Sequence, residues 1–440
     1  MEKIMSTFNL PAGQTSNQNI ILDAVGESAN IAGELITNNF QPSILTQNKF
    51  NAIEVETTGF ISSNTSAIQV QGFGTVIDSE GTIYGAVNGI NIADDNSSSA
   101  VILNEGTISS ASRAINIGGV GATVFNSGLI TTTANPRNGT IYGDVTAQNV
   151  FIINQSNGII DVGAGLNGDA ISLELGANVN GTIRNEGLIQ GRGVAGVANP
   201  INQAAAVHLY WVSASGAPVS IFNGDIVNKG TLASENGAAI IIDDAVDFRG
   251  EIVNSGIIQG GTVLGFHDLA IDTRKAEGNI HVDNSGQIQG DVFLTAGNDI
   301  YYGRDGSIEG SIYGFDGDDL ILGGGGTEKL FGGAGDDILR GGAGDDLLDG
   351  GGGSDLLNGG AGGDIFRFGS DILGDLQQDL DRINNFQSND RFDFSDYLNA
   401  GGTINFIRGQ RDLLVNLNNE DVLIVRGDLD AAEQQLLPIL

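Results

Sequence analysis

Residues 314–367 read GFDGDDLIL GGGGTEKLF GGAGDDILR GGAGDDLLD GGGGSDLLN GGAGGDIFR, six nonapeptides without a gap. Glycine fills the first half of each copy. An acid stands at position six: Asp319, Glu328, Asp337, Asp346, Asp355 and Asp364. An apolar residue stands at position eight: Ile321, Leu330, Leu339, Leu348, Leu357 and Phe366. Glycine permits φ > 0 and a tight turn. The residues after the turn form a short strand with position eight inward. A glycine-rich linker has no reason to hold an acid and a large apolar residue in this register.

Two such nonapeptides close one coil of a flattened solenoid, so copies n and n+2 stack on one edge. Asp319, Asp337 and Asp355 fall on one edge. Glu328, Asp346 and Asp364 fall on the other. Unpaired, the carboxylates of each edge would repel one another. Carboxylates and glycine carbonyls together are hard oxygen donors, the set that suits Ca²⁺. A degenerate copy, LTAGNDIYY at residues 294–302, adds Asp299 upstream. Glu328 replaces Asp in the second copy, and Phe315 takes the second glycine position of the first.

The six copies resemble the RTX (repeat-in-toxin, haemolysin-type) calcium-binding nonapeptide GGxGxDxUx. The resemblance implies a parallel β-roll holding several Ca²⁺ ions. It also implies a secreted protein exported by a type I secretion apparatus. The passage RINNFQSNDRFDFSDY at residues 382–397 is similar to the acidic, aromatic-rich tail after such repeats. In that family the tail caps the roll and carries an uncleaved export signal. Pro438 interrupts the family's commoner ending. DLLVNL, the turn at Asn418, Asn419 and Glu420, and VLIVRG spell a hairpin.

A looser phrase returns from Gly59 to Gly286, as in VETTGFISS, ILNEGTISS, IRNEGLIQG and VDNSGQIQG. A second phrase falls between its copies: SAIQV, NGINI, RAINI, DAISL, AAVHL, AAIII. Repeats of this period mean a solenoid, and short alternating β-branched segments mean strands. Inward Ile, Val and the turn asparagines Asn126, Asn228 and Asn254 should stack between rungs about 4.8 Å apart. This part resembles the right-handed parallel β-helices of bacterial surface and secreted proteins. A β-sandwich is the rival, but its strands seldom repeat one phrase at a fixed place. The expected fold is all-β: a right-handed parallel β-helix, an RTX β-roll and a β-rich C-terminal cap. The expected segments are 1–50 (cap and first rungs), 51–290 (β-helix), 291–367 (roll) and 368–440 (cap and secretion-signal region).

Composition sets bounds. The 440 residues carry 68 glycines, 40% hydrophobic residues, no cysteine and a net charge of −35. This excludes disulfides and thiolate metal sites. It also repels nucleic acid and anionic membranes, leaving cations as counter-charge. No apolar stretch is long enough for a membrane span. MEKIMSTFNLPAGQTSNQN has no long apolar run, so a cleaved leader is not expected.

Insertions interrupt the rungs near residues 135–143, 191–223 and 267–278, and solenoid insertions often bind. Trp211 beside Tyr210 is either a platform for a glycan or protein partner or a packing residue. For catalysis, the best candidates are Asp243, Asp244 and Asp247 in IIDDAVDFRG, with Arg249, and His208 and His267 as partners from nearby rungs. Solvated turn residues are the simpler reading of such Asp pairs. Three histidines without metal-ligand spacing, and no GxSxG or HExxH, give no further site. The expected function is an extracellular or surface structural or adhesion module. The alternative is an enzyme on extracellular polysaccharide, a lyase, hydrolase or epimerase with its site on the β-helix face.

Overall fold

The computed structural model describes residues 7–93, 98–134, 139–164, 166, 168–176, 178–193, 204–211, 219–261, 268–369, 379–417 and 421–439. His267 and the hairpin turn at Asn418, Asn419 and Glu420 lie outside them, as do parts of all three insertions. The chain divides into two compact units, Met1–Gly250 with Gly256–Ala270, and Glu251–Ser255 with Ile271–Leu440. No described helix is long and apolar enough to cross a membrane.

The first unit is a parallel β-helix. Each coil sends one strand to each of three sheets. Thr7–Leu10, Thr15–Ser16 and Ile20–Leu22 make the first coil, so the first rungs fall within residues 1–50. Strands pair with their counterparts one coil on, always in parallel, as Thr75–Ser79 does with Ser99–Asn104. Short strands that bury one face alternate inward and outward side chains. Ser99–Asn104 (SAVILN) accordingly buries Ala100, Ile102 and Asn104. Ile68, Ile90, Ile115, Ile141, Ile171, Val207 and Ile240 share one register row of the third sheet and are fully buried. Burying each is worth about 1.5–3 kcal/mol.

At the corner between the first and second sheets the apolar rows give way to amides. Asn104, Asn126, Asn154, Asn185 and Asn228 form a ladder in which each Nδ2 donates to the next Oδ1 at 2.7–2.9 Å. All five are buried. Asn104, Asn126 and Asn185 each donate to the glycine carbonyl of their own N-x-G turn, and Asn154 donates across its longer turn to the Gly158 carbonyl. A buried amide is tolerated because its neighbours above and below satisfy it.

The second unit starts three-sided. The second sheet ends at Ser307–Glu309, paired with Gln287–Gln289. From Leu320–Leu322 onward, strands alternate between two sheets, with pairs 18 residues apart. Leu330 faces Leu348, and Leu339 faces Leu357. The position-eight residues Ile321, Leu330, Leu339, Leu348, Leu357 and Phe366 are all buried. This is the expected flattened roll. Phe315 pairs with Gly333 and adopts φ 79°, a left-handed conformation that favours glycine. Its ring packs against Phe293 and Tyr313.

The cap continues the roll before it turns antiparallel. Leu380–Phe386 pairs in parallel with Leu356–Ala361, and Arg391–Asp393 with Ile365–Arg367. Leu413–Leu417 and Asp421–Gly427 form the expected hairpin, with Ile404–Arg408 as a third strand. Asp421–Gly427 then pairs in parallel with Leu380–Phe386, covering that edge. The ending is helical. Asp428 caps Leu429–Leu436 by accepting from the Ala431 N–H at 3.1 Å, and Ala432 and Leu436 are buried.

Candidate functional site

The turns of the roll carry two ladders of carboxylates. On one edge the amide of Asp299 donates to Asp319 Oδ1 at 2.7 Å, Asp319 to Asp337 at 2.8 Å, and Asp337 to Asp355 at 2.9 Å. On the other, Glu328 donates to Asp346 at 2.8 Å and Asp346 to Asp364 at 3.0 Å. Both ladders run past the nonapeptides. Asp355 donates to Asp381 and Asp364 to Asp390, each at 3.0 Å.

In four of these carboxylates one oxygen accepts a coil amide and the other is orphaned: Oδ2 of Asp319, Asp337, Asp346 and Asp364 is buried without a hydrogen-bond donor. These atoms lie over glycines. A Cβ built on Gly332 would stand 2.1 Å from Asp337 Oδ2 and 2.5 Å from the Gly350 carbonyl. Gly314 relates to Asp319 and Gly332, and Gly341 to Asp346 and Gly359, in the same way. Each cradle pairs an orphaned carboxylate oxygen with a carbonyl of the next coil. Among the described residues no three acid or imidazole side chains converge on one point. A metal site here completes its ligand set with backbone carbonyls.

Burial pushes Asp319, Asp346 and Asp355 up to about 7 and Asp337 up to about 8. Donated amides oppose the shift, and neighbouring carboxylates add to it. Buried anionic oxygens without donors are unstable unless a proton or cation joins them. The donor set is all hard oxygen, which fits Ca²⁺. Bound there, the ion would supply the positive charge that the stacked carboxylates lack.

Asp299, Glu328 and Asp390 differ from the rest: Asp390 accepts the Asp364 amide at 3.0 Å and the Gln387 amide at 2.7 Å. Both Asp299 oxygens are occupied, by the Ile280 and Thr295 amides and the Thr295 hydroxyl, at 2.5–2.9 Å. Glu328 folds its longer arm back so that Oε2 accepts from the Gly324 N–H at 3.3 Å. Asp381 and Asp390 escaped the sequence reading, although each repeats the acid-x-apolar signature: Asp381-Arg382-Ile383 and Asp390-Arg391-Phe392.

A second cluster lies on the outer side of the third sheet of the β-helix. Asp169–Glu174, Val207–Tyr210 and Ile240–Ile242 are adjacent strands. His208 Nδ1 lies 2.9 Å from Asp169 Oδ2, and Nε2 lies 3.3 Å from Asp243 Oδ2. Asp169 Oδ1 accepts the Ala205 N–H at 2.9 Å, which fixes the back of the relay. Burial works against the imidazolium, but the two carboxylates outweigh it and push His208 up to about 9. The ring of Tyr210 sits 4.9 Å from that of His208. Burial, and then the charge of Glu174, push the Tyr210 phenol up to about 12. Tyr142 Oη donates to Glu174. His208 and Asp169 are buried, while Glu174, Tyr210 and Asp243 are half-exposed.

Of the sequence candidates, the fold thus joins His208 to Asp243 only. Asp244 is exposed in the following turn. Asp247 sits on Val246–Phe248 of the first sheet and pairs with Arg249 at 2.7 Å. Trp211 is half-buried. Asp169, Glu174 and Tyr142 were missed. Their signal was the second phrase: aligning DAISL with AAVHL and AAIII sets Ser172 beside His208 and leaves Glu174, Tyr210 and Asp243 as the next residue of each.

The family model of the RTX calcium-binding nonapeptide repeat matches residues 311–327 and 331–366 in 4 copies. The match covers the roll and neither the β-helix nor the cap. No curated protein matches the chain.

Proposed function

We propose that this chain is an extracellular structural or adhesion module whose C-terminal coils fold on Ca²⁺ after export by a type I apparatus. The supporting observation is the pair of ladders with orphaned Oδ2 atoms facing coil carbonyls. The ligands on this reading are Asp319, Asp337, Asp346, Asp355 and Asp364, extended by Asp381. Asp299, Glu328 and Asp390, already satisfied by protein donors, contribute least. At the sub-micromolar calcium of a cytoplasm the acidic coils stay open, which suits threading through an exporter. At roughly 10⁻³ M calcium, the range of extracellular modules, they close. Closing outside the cell opposes backsliding. The test is hydrogen exchange on the whole chain at both calcium levels. Residues 320–367 should gain protection only in calcium, while strands 52–248 stay protected in both. Equal protection of the roll at both levels would falsify the reading.

A second reading, a polysaccharide-modifying enzyme, is favoured by the relay that backs the half-exposed Asp243 with His208 and Asp169. A carboxylate so oriented could act as a general base. That reading requires turnover of an extracellular polysaccharide that Asp243→Asn abolishes while the β-helix stays folded. Turnover unchanged in Asp243→Asn would dismiss it.

A further inference from the structure

The relay is one end of a longer feature. Gln69, Asn91, Asn116, Tyr142, Ser172 and His208 occupy one register row on the outer side of the third sheet. These six are polar, between the apolar Leu45 and Ile241 that continue the row, and Asn116, Tyr142, Ser172 and His208 among them are buried. Its members bond along the row. Asn91 Nδ2 donates to Gln69 Oε1 at 2.7 Å, and Asn116 Nδ2 to Asn91 Oδ1 at 2.8 Å. Arg113 Nη1 donates to Asn116 Oδ1 at 3.0 Å, and its guanidinium lies 4.0 Å over the Tyr142 ring.

Beside the row, two residues further along each strand, stand Glu174, Tyr210 and Asp243. Each carboxylate of this half-exposed trio is held from below by a buried donor. Tyr142 holds Glu174, and His208 holds Asp243. Core packing does not require such support on an outward face. It pre-organises acceptors toward whatever meets the face.

We propose that the half-exposed trio Glu174, Tyr210 and Asp243, on successive rungs of the third sheet's outer face and backed by the buried polar row, is a binding track for an extended neutral glycan. Two carboxylates and a phenol at the spacing of the rungs answer sugar hydroxyls, which both donate and accept. Tyr210 adds an aromatic surface with a polar tip. The rungs repeat about every 4.8 Å, close to the length of one pyranose, so one linear chain can address successive rungs. Charge selects against polyanions. The chain carries −35, and the trio adds carboxylates at the contact itself. The track deepens the adhesion reading and rests on it, since it names the ligand class and the face.

The experiment is calorimetric titration of the full chain in calcium with cellohexaose, xylohexaose, mannohexaose and, as the anionic probe, hexagalacturonate. At least one neutral hexasaccharide should bind. Tyr210→Ala and Glu174→Gln should each weaken it tenfold or more. Thr131→Ala, on the outer side of the second sheet, should leave it unchanged. Circular dichroism and hydrogen exchange verify that each variant is folded. His208→Gln tests the buried support separately and should weaken binding less than Tyr210→Ala. The track is overturned if no neutral hexasaccharide binds the folded protein, if hexagalacturonate binds more tightly, or if Tyr210→Ala binds like the parent. Calcium-dependent protection of the roll is read in the same samples. Its failure would strike the calcium reading and leave the glycan result standing.

Discussion

Gly332 shows how much of the roll depends on single atoms that are not there. Its backbone is not left-handed, so alanine is sterically open to it in φ. The added methyl would nonetheless meet Asp337 Oδ2 at 2.1 Å and the Gly350 carbonyl at 2.5 Å, inside the cradle assigned to the ion. Gly352 offers the contrast, because a Cβ there meets nothing within 4 Å. Gly332→Ala should raise the calcium midpoint of roll folding tenfold or more, about 1.4 kcal/mol per decade. Gly352→Ala should leave it within twofold. Calcium titrations followed by circular dichroism decide this, and equal midpoints for the two variants would refute the cradle. Phe315 marks the opposite case. It holds φ 79° at a cost of about 1–2 kcal/mol, offset by its contacts with Phe293 and Tyr313.

At the scale of strands and coils, legibility followed period. The roll was readable because every constraint recurs at nine: a glycine turn, an acid that accepts the amide of the coil before it, an inward apolar residue. The 18-residue pairing is twice that number. Asp381 and Asp390 were hidden because the spacing stretches to 26 as the chain enters the cap, although the local acid-x-apolar pattern persists. The asparagine ladder was legible from the N-x-G turns, since a repeated buried amide needs a repeated partner. The His208 relay was not. Its partners lie 39 and 35 residues away in sequence, and an insertion between rungs breaks the spacing that would have aligned them. Only the register of the strands brings Asp169, His208 and Asp243 together. The catalytic candidates drawn from one short stretch, Asp243, Asp244 and Asp247, were therefore divided among a relay, a turn and another sheet.

Across the whole molecule, acidity should act differently on the two units. Asp319, Asp337, Asp346 and Asp355 titrate near 7–8 in the folded, calcium-free roll, against 3.8 ordinarily. Their folded values lie above their unfolded ones, so the folded roll binds the extra protons. That stabilisation is complete below about pH 4 and is lost as pH rises through 7–8. Asp299, Asp318, Asp336, Asp349 and Asp379 face these groups and sharpen the loss by repulsion. His208 obeys the same sign in a different window. It stabilises the β-helix fully below about 6.5 and loses that contribution progressively as pH rises from there through about 9. Without calcium, the roll should therefore be more protected from hydrogen exchange at pH 5 than at pH 8, after correction for the intrinsic exchange rate. The β-helix, which gives up only part of one histidine's contribution over that interval against four carboxylates in the roll, should lose less protection. Calcium replaces protons on the same oxygens, so its midpoint should fall as pH rises from 6 to 8. The fall is up to about tenfold per pH unit for each proton released, and it flattens above pH 8. A midpoint independent of pH over this interval would mean that the buried carboxylates are already ionised in the calcium-free fold, and that the orphaned oxygens are not where the ion binds.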